Sequence, residues 1–245
     1  MKAGLVSVSF RPHTPQEIVA AVKTQNLTHI EWGSDIHAPY FDLENIKTIA
    51  ALCKENNISC SYGTYFRFGQ TPMDELPKYI VAAKALGTDI LRVWCGTKSS
   101  KDYTRVELNA IYEECRQAAK LAEKEGVILC TECHNWTLTD NMESALALFK
   151  NVNSPAFQTK TQPNQFKSKE ENLAYAKAVA PFTKTVHVFN WSGENKYPLS
   201  QDIKTWKEYL SCFSGDIPFL LEFMPDNKIE SLEKETQALF KILKG

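Results

Sequence analysis

Asp89-Ile-Leu-Arg-Val-Trp-Cys95 is a β-rich run, and the chain after it turns helical at Thr104, closes at Gly126 and leads straight into Val127-Ile-Leu-Cys-Thr-Glu132. Strand, helix and strand in that order, with a glycine at the last turn, is the sequence form of a parallel βαβ unit. The same alternation runs through the chain. Strand candidates fall at 4–10, 28–32, 58–65, 89–95, 127–132, 156–161, 184–190 and 217–223, with apolar residues at i, i+3, i+4, i+7 spacing between them. Thr14-Pro15 opens the first helix, Asp42, Asp74 and Thr104 the next three, Thr139-Asp140, Ser168 and Ser200 the fifth to seventh, and the last runs from about Ile229 to Leu243. Eight strands, each followed by a helix, predict an α/β fold: one (β/α)8 TIM barrel over residues 1–245. An open doubly wound sheet would begin with a glycine-rich phosphate turn, and the sequence has none.

Composition agrees with a single barrel. The 245 residues are 43% hydrophobic and 23% charged, enough apolar material for a large core under a solvated exterior. Lys+Arg of 28 against Asp+Glu of 29 leaves a net charge of -1, so no global field draws in nucleic acid or anionic lipid. No apolar run reaches the roughly 18–20 residues of a membrane span. The expected partner is a small molecule, with no nucleic acid and no membrane; a homo-oligomer is left open. Seven cysteines in strands and helices do not form a secreted disulfide framework, which places the chain in a reducing cytoplasm. Cys130 and Cys133 have the spelling of a redox or zinc pair, but their odd separation in a strand sends them to opposite faces.

The two-residue period of each strand predicts which side chains reach the barrel axis. Val6 and Val8 are read as helix-facing, so Ser7 and Ser9 face inward, as do His29 and Glu31 in the second strand and Cys60, Tyr62 and Thr64 in the third. Arg92 and Trp94 follow in the fourth, Cys130, Glu132 and His134 in the fifth, and Gln158, Lys160 and Gln162 in the sixth. His187 faces the axis between helix-facing Val186 and Val188, and Glu222 is the one polar residue of an otherwise apolar eighth strand. Each has an ordinary explanation alone. A strand histidine is usually a hydrogen-bonded core residue, Glu132 or Glu31 would pair with Arg92, and Tyr62 and Trp94 would fill core. Together they read differently, because Glu132, Gln162, His187 and Glu222 lie near the same ends of strands five to eight. Two carboxylates, an imidazole and an amide oxygen around one point suit Mn²⁺ or Mg²⁺, with Zn²⁺ or Co²⁺ also accommodated.

The segments Glu31-Trp-Gly-Ser-Asp-Ile-His37, Leu91-Arg-Val-Trp-Cys-Gly96, Glu132-Cys-His134 with Thr137-Leu-Thr-Asp140, Val186-His-Val-Phe-Asn-Trp191 and Leu221-Glu222 resemble, in this order, the xylose isomerase-like TIM-barrel superfamily. Its sugar phosphate isomerase/epimerase group is the nearest likeness. The resemblance implies a divalent metal held by Glu132, His187 and Glu222, with Gln162 where many members place an aspartate. It implies a metal-dependent sugar or sugar phosphate isomerase or epimerase working through an enediolate, with Glu132 and Glu222 moving the proton. His134, Arg92, Lys160, Trp94 and Tyr62 are the expected substrate contacts. A polyol or inosose dehydratase would reuse the same site, and a non-catalytic sugar-binding barrel is the alternative of a different class.

Overall fold

The computed structural model describes residues 2–244. Eight parallel strands close into a barrel: β1 (Lys2–Val6), β2 (His29–Gly33), β3 (Ser59–Phe68), β4 (Ile90–Cys95), β5 (Ile128–Glu132), β6 (Phe157–Thr161), β7 (Thr183–Val188) and β8 (Pro218–Leu221). They run in sequence order around the ring, and β1 pairs with both β2 and β8 to close it. One α-helix follows each strand: α1 (Pro15–Thr24), α2 (Leu43–Glu55), α3 (Leu76–Leu86), α4 (Arg105–Glu125), α5 (Met142–Val152), α6 (Lys169–Val179), α7 (Ile203–Leu210) and α8 (Leu232–Leu243). Among the described residues, no helix is long and apolar enough to cross a membrane.

The boundaries follow from local chemistry. Thr14, Thr104 and Ser168 each accept from the main-chain N–H three residues on, while Glu17, Glu107 and Glu171 reach back in reciprocal capping boxes. Gly87 and Gly126 close α3 and α4 in the left-handed conformation and turn the chain into β4 and β5. Leu5, Ile30, Trp32, Leu91, Val93, Leu129, Val186, Val188 and Leu221 face the helices and are buried in one continuous core. That shell is the main hydrophobic contribution to stability.

Two strands depart from the parity expected of them. β1 ends at Val6 rather than at residue 10, and residues 7–10 form a short 3₁₀ turn. Val6, Val8 and Leu220 form a separate apolar cluster inside the barrel, whereas Ser7 Oγ accepts from Gly33 N at the strand end. In β3, Glu31 lies opposite Ser61 and Trp32 opposite Tyr62, so Ser61 and Gly63 face the axis and Tyr62 faces the helices. Tyr62 donates to Ala38 O at 2.7 Å on that outer side and does not join the site.

At the amino-terminal end of the barrel, His29 sits between Ser59 Oγ (2.8 Å from Nδ1) and Ser61 Oγ (3.0 Å from Nε2). Burial pushes its pKa down to about 4, so the folded protein holds a neutral ring that the unfolded chain protonates more readily. Stability from this residue is complete above the ordinary histidine value and is lost as pH falls toward about 4, about 2 kcal/mol of it by about pH 5. Urea unfolding at about pH 7.5 and about pH 5 should show that extra loss in the wild type and not in His29→Gln. Equal losses in the two proteins would contradict this role for His29.

Candidate metal centre

The carboxyl ends of β2, β4, β5, β6, β7 and β8 bring Glu31, Arg92, Glu132, Lys160, His187 and Glu222 into one buried group. Glu132 Oε2 accepts from Arg92 Nη1 at 2.8 Å and lies 3.6 Å from Lys160 Nζ. Lys160, with no exposed surface, also donates to Glu31 Oε1 at 3.2 Å. Burial alone would raise the pKa of Glu132, but Lys160 and Arg92 outweigh it and bring it to about 2. Glu31 is likewise held well below the ordinary carboxylate value, burial being overcome by Lys160 and His187. Gly63 makes room for this packing. A Cβ there would sit 2.9 Å from Glu31 Oε1, so any side chain would displace the carboxylate.

His187 lies between two carboxylates. Its Nε2 is in a long 3.4 Å hydrogen bond to Glu31 Oε2, while Nδ1 is 2.9 Å from Glu222 Oε2 at an angle that makes no hydrogen bond. With the Nε2 proton directed at Glu31, the Nδ1 lone pair is free and points into the group beside a carboxylate oxygen. That is the arrangement of two neighbouring ligands of one cation, with Glu31 fixing the tautomer from behind. One ligand atom each from Glu132, His187 and Glu222 lie within 4.8 Å of one another. Burial disfavours the imidazolium, but Glu222 and Glu31 reverse this and raise the His187 pKa, so a cation at Nδ1 would compete with a proton.

These residues fit a divalent cation. His187 Nδ1 and carboxylate oxygens of Glu132 and Glu222 converge within 4.8 Å, and Nδ1 is buried with no hydrogen-bond partner, which is what a shared cation would bridge. Two oxygens and one nitrogen are a donor set for Mn²⁺, Mg²⁺ or Zn²⁺.

The expected site residues divide accordingly. Glu132, His187, Glu222, Arg92 and Lys160 come together. Trp94 and His134 stand beside them at the mouth, their rings 4.6 Å apart, with the Arg92 guanidinium 5.9 Å from the Trp94 ring. Gln162 lies past the end of β6, where Pro163 follows, and lines a small cavity with Ala176, Val186 and Trp206 on the helix side of the barrel. Its Oε1 is buried without a hydrogen-bond partner, and no hydrogen bond joins it to the other three. The alternation that places a residue on the axis stops with the strand, so Lys160, not Gln162, is what β6 delivers there. Glu31 was absent from the expected set although its inward parity was readable. The signal was its pairing: a strand carboxylate opposite a strand histidine across the axis.

The family model for xylose isomerase-like TIM barrels matches residues 19–211, and the chain belongs to that family. Solved structures share its whole architecture at low sequence identity. The probable 3-DHS dehydratase AsbF of Bacillus anthracis, involved in petrobactin synthesis, superposes with a TM-score of 0.79 at 17% identity over 98% of this chain and 99% of that one. D-psicose 3-epimerase from Clostridium cellulolyticum H10, solved with D-tagatose, gives 0.70 at 13% over 100% and 99%. The IOLI protein with a bound zinc atom gives 0.75 at 14% over 99% and 96%. No curated protein matches the chain in sequence.

Proposed function

We propose that this barrel is a divalent-metal-dependent isomerase or epimerase of a sugar or sugar derivative. The observation that carries the reading is the convergence of Glu132, Glu222 and the unpartnered His187 Nδ1, within 4.8 Å of one another, at the carboxyl end of the barrel. In this fold that end is where catalytic groups gather. Glu132, His187 and Glu222 would hold the cation, with Mn²⁺ or Mg²⁺ suited to the two carboxylates and Zn²⁺ also accommodated. Bound there, it would supply positive charge to the oxygens of a chelated hydroxy-ketone and so acidify the C–H between them.

The chain's own groups would do the rest. One of Glu132, at the end of β5, and Glu222, just past β8, would take the proton from one face of the substrate carbon, and the other would return one to the opposite face through an enediolate. Arg92 would keep Glu132 ionised and in place, and Lys160 would stabilise developing negative charge beside it. Trp94 and His134 would border the substrate, the indole against its apolar face. We read residues 1–245 as one domain, and the free state of all seven cysteines supports a reducing compartment.

Incubation of the Mn²⁺-loaded protein with ketoses, ketose phosphates and inosose in D₂O tests this reading. One of them should take up deuterium at carbon and return as an isomer of unchanged composition, and chelation with EDTA should abolish the exchange. Loss of one water from the product would point to dehydration instead. Binding of a sugar with neither exchange nor water loss would leave a non-catalytic barrel.

A further inference from the structure

The loops that leave β4, β5 and β6, the strands carrying Arg92, Glu132 and Lys160, border an open cleft of about 450 Å³ lined by Ser99, Asp102, Asn135, Trp136, Asp140 and Phe166. Trp136 comes four residues after Glu132 and two after His134, so the cleft adjoins the metal centre. Hydrogen bonds brace the three loops against one another. Asp140 Oδ2 accepts from Ser99 Oγ at 2.7 Å and from Ser100 N at 3.1 Å, Lys167 Nζ donates to Asp140 O at 2.6 Å, and Asn164 Nδ2 donates to Asn135 Oδ1 at 2.6 Å.

On this braced frame stand two rings that the fold does not use. Trp136 is 65% exposed and Phe166 60%, and among the described residues neither ring stacks on another. Trp136 also holds a φ of 57°, a conformation that crowds the Cβ of any bulky residue. One residue thus keeps a large apolar ring in water and its backbone strained, and among the described residues no ring contact or side-chain hydrogen bond of its own offsets either. Strain of this kind gathers at ligand clamps. Polar groups stand ready beside the rings. With Oδ1 taken by Asn164, the Asn135 amide is fixed in orientation and its Nδ2 has no acceptor among the described residues; the exposed Asp102 carboxylate and the Trp136 Nε1–H are also without partners there.

A flat apolar face edged by donors and acceptors suits a pyranose ring, whose axial C–H groups lie against the negative face of an indole while its hydroxyls reach the rim. The bases of a nucleic acid would also stack, but Lys101 in this cleft is outweighed by Asp102 and Asp140, which leaves no positive surplus for a phosphate backbone. We propose that the substrate is a glycoside: one sugar unit reacts at the metal centre while a second ring, joined to it by a glycosidic bond, stacks on Trp136 in this cleft. This rests on the metal-dependent reading above and adds a non-reacting unit to its substrate. Binding energy from the remote ring would orient the reacting carbon between the two glutamates.

Calorimetric titration of the Mn²⁺-loaded protein with maltose, cellobiose, trehalose and sucrose, against glucose and fructose, tests the proposal. At least one disaccharide should bind about tenfold or more tightly than both monosaccharides. That advantage should fall to about twofold or less in Trp136→Gly and in Trp136→Ala, with circular dichroism of both variants matching the wild type. Glycine also suits the left-handed backbone, so loss of the ring is read there without added strain. No disaccharide binding more tightly than both monosaccharides, or an advantage undiminished in the Trp136 variants, would overturn the proposal. A titration with Mn²⁺ alone separates the two readings. Mn²⁺ uptake without disaccharide preference removes only the glycoside, whereas a Trp136-dependent preference in a protein that takes up no Mn²⁺ removes the metal centre and leaves the cleft.

Discussion

Glu222→Gln keeps its fold and loses deuterium exchange by about 10³-fold or more. The main chain at residue 222 is held by its N–H to Val188 O at 3.0 Å, a bond the substitution leaves intact. The side chain makes no hydrogen bond on which the barrel depends, since its close approach to His187 Nδ1, 2.9 Å, lacks hydrogen-bond geometry. Glutamine preserves shape and an oxygen donor while removing the charge and the capacity to carry a proton. Exchange should therefore stay lost at saturating Mn²⁺, with circular dichroism and melting temperature near those of the wild type. A variant retaining a tenth of wild-type exchange would remove Glu222 from the proton-transfer role.

Lys160→Met binds Mn²⁺ more tightly than the wild type while its metal-free form is less stable. Both effects follow from an ammonium 3.2 Å from Glu31 and 3.6 Å from Glu132 with no exposed surface. It competes for the Glu132 carboxylate, and a like charge near a cation site costs roughly 4 kcal/mol at about 4 Å in an effective dielectric of about 20. Even a fraction of that predicts about tenfold tighter binding or more once the lysine is gone. Without metal, the same change leaves two buried carboxylates short of a partner, a loss of about 3–5 kcal/mol. Thermal melts with and without Mn²⁺ read both at once: a lower melting temperature without metal, and a larger upward shift on adding it. An equal or smaller shift than the wild type would mean that Lys160 does not oppose the cation.

The barrel was legible because its signals are local and repeated. Capping boxes at Thr14, Thr104 and Ser168, glycines at 87 and 126, and alternating apolar strand residues each act within a few positions. Three of the four expected metal ligands, Glu132, His187 and Glu222, converge because strand parity holds for them: Glu132 and His187 lie within regular strands, and Glu222, one residue past β8, continues the ladder through its N–H to Val188 O. The misplacements arise where regularity ends. Gln162 lies past the last paired residue of β6, and Ser7 and Ser9 fall in a 3₁₀ turn, so strand parity does not govern them. The alternation within β3 alone places Tyr62 inward, whereas its true face is set by the pairing register with β2, which no window of β3 contains.

The central claim is that Glu132, His187 and Glu222 are one cation site. Diffraction from crystals soaked in Mn²⁺, recorded where manganese scatters anomalously, tests it directly. The account predicts a single anomalous peak bonded to a carboxylate oxygen of Glu132, to Nδ1 of His187 and to a carboxylate oxygen of Glu222, with Glu31 behind Nε2. A peak bonded elsewhere, or Glu132 still clasped by Arg92 and Lys160 with no peak beside it, would contradict it.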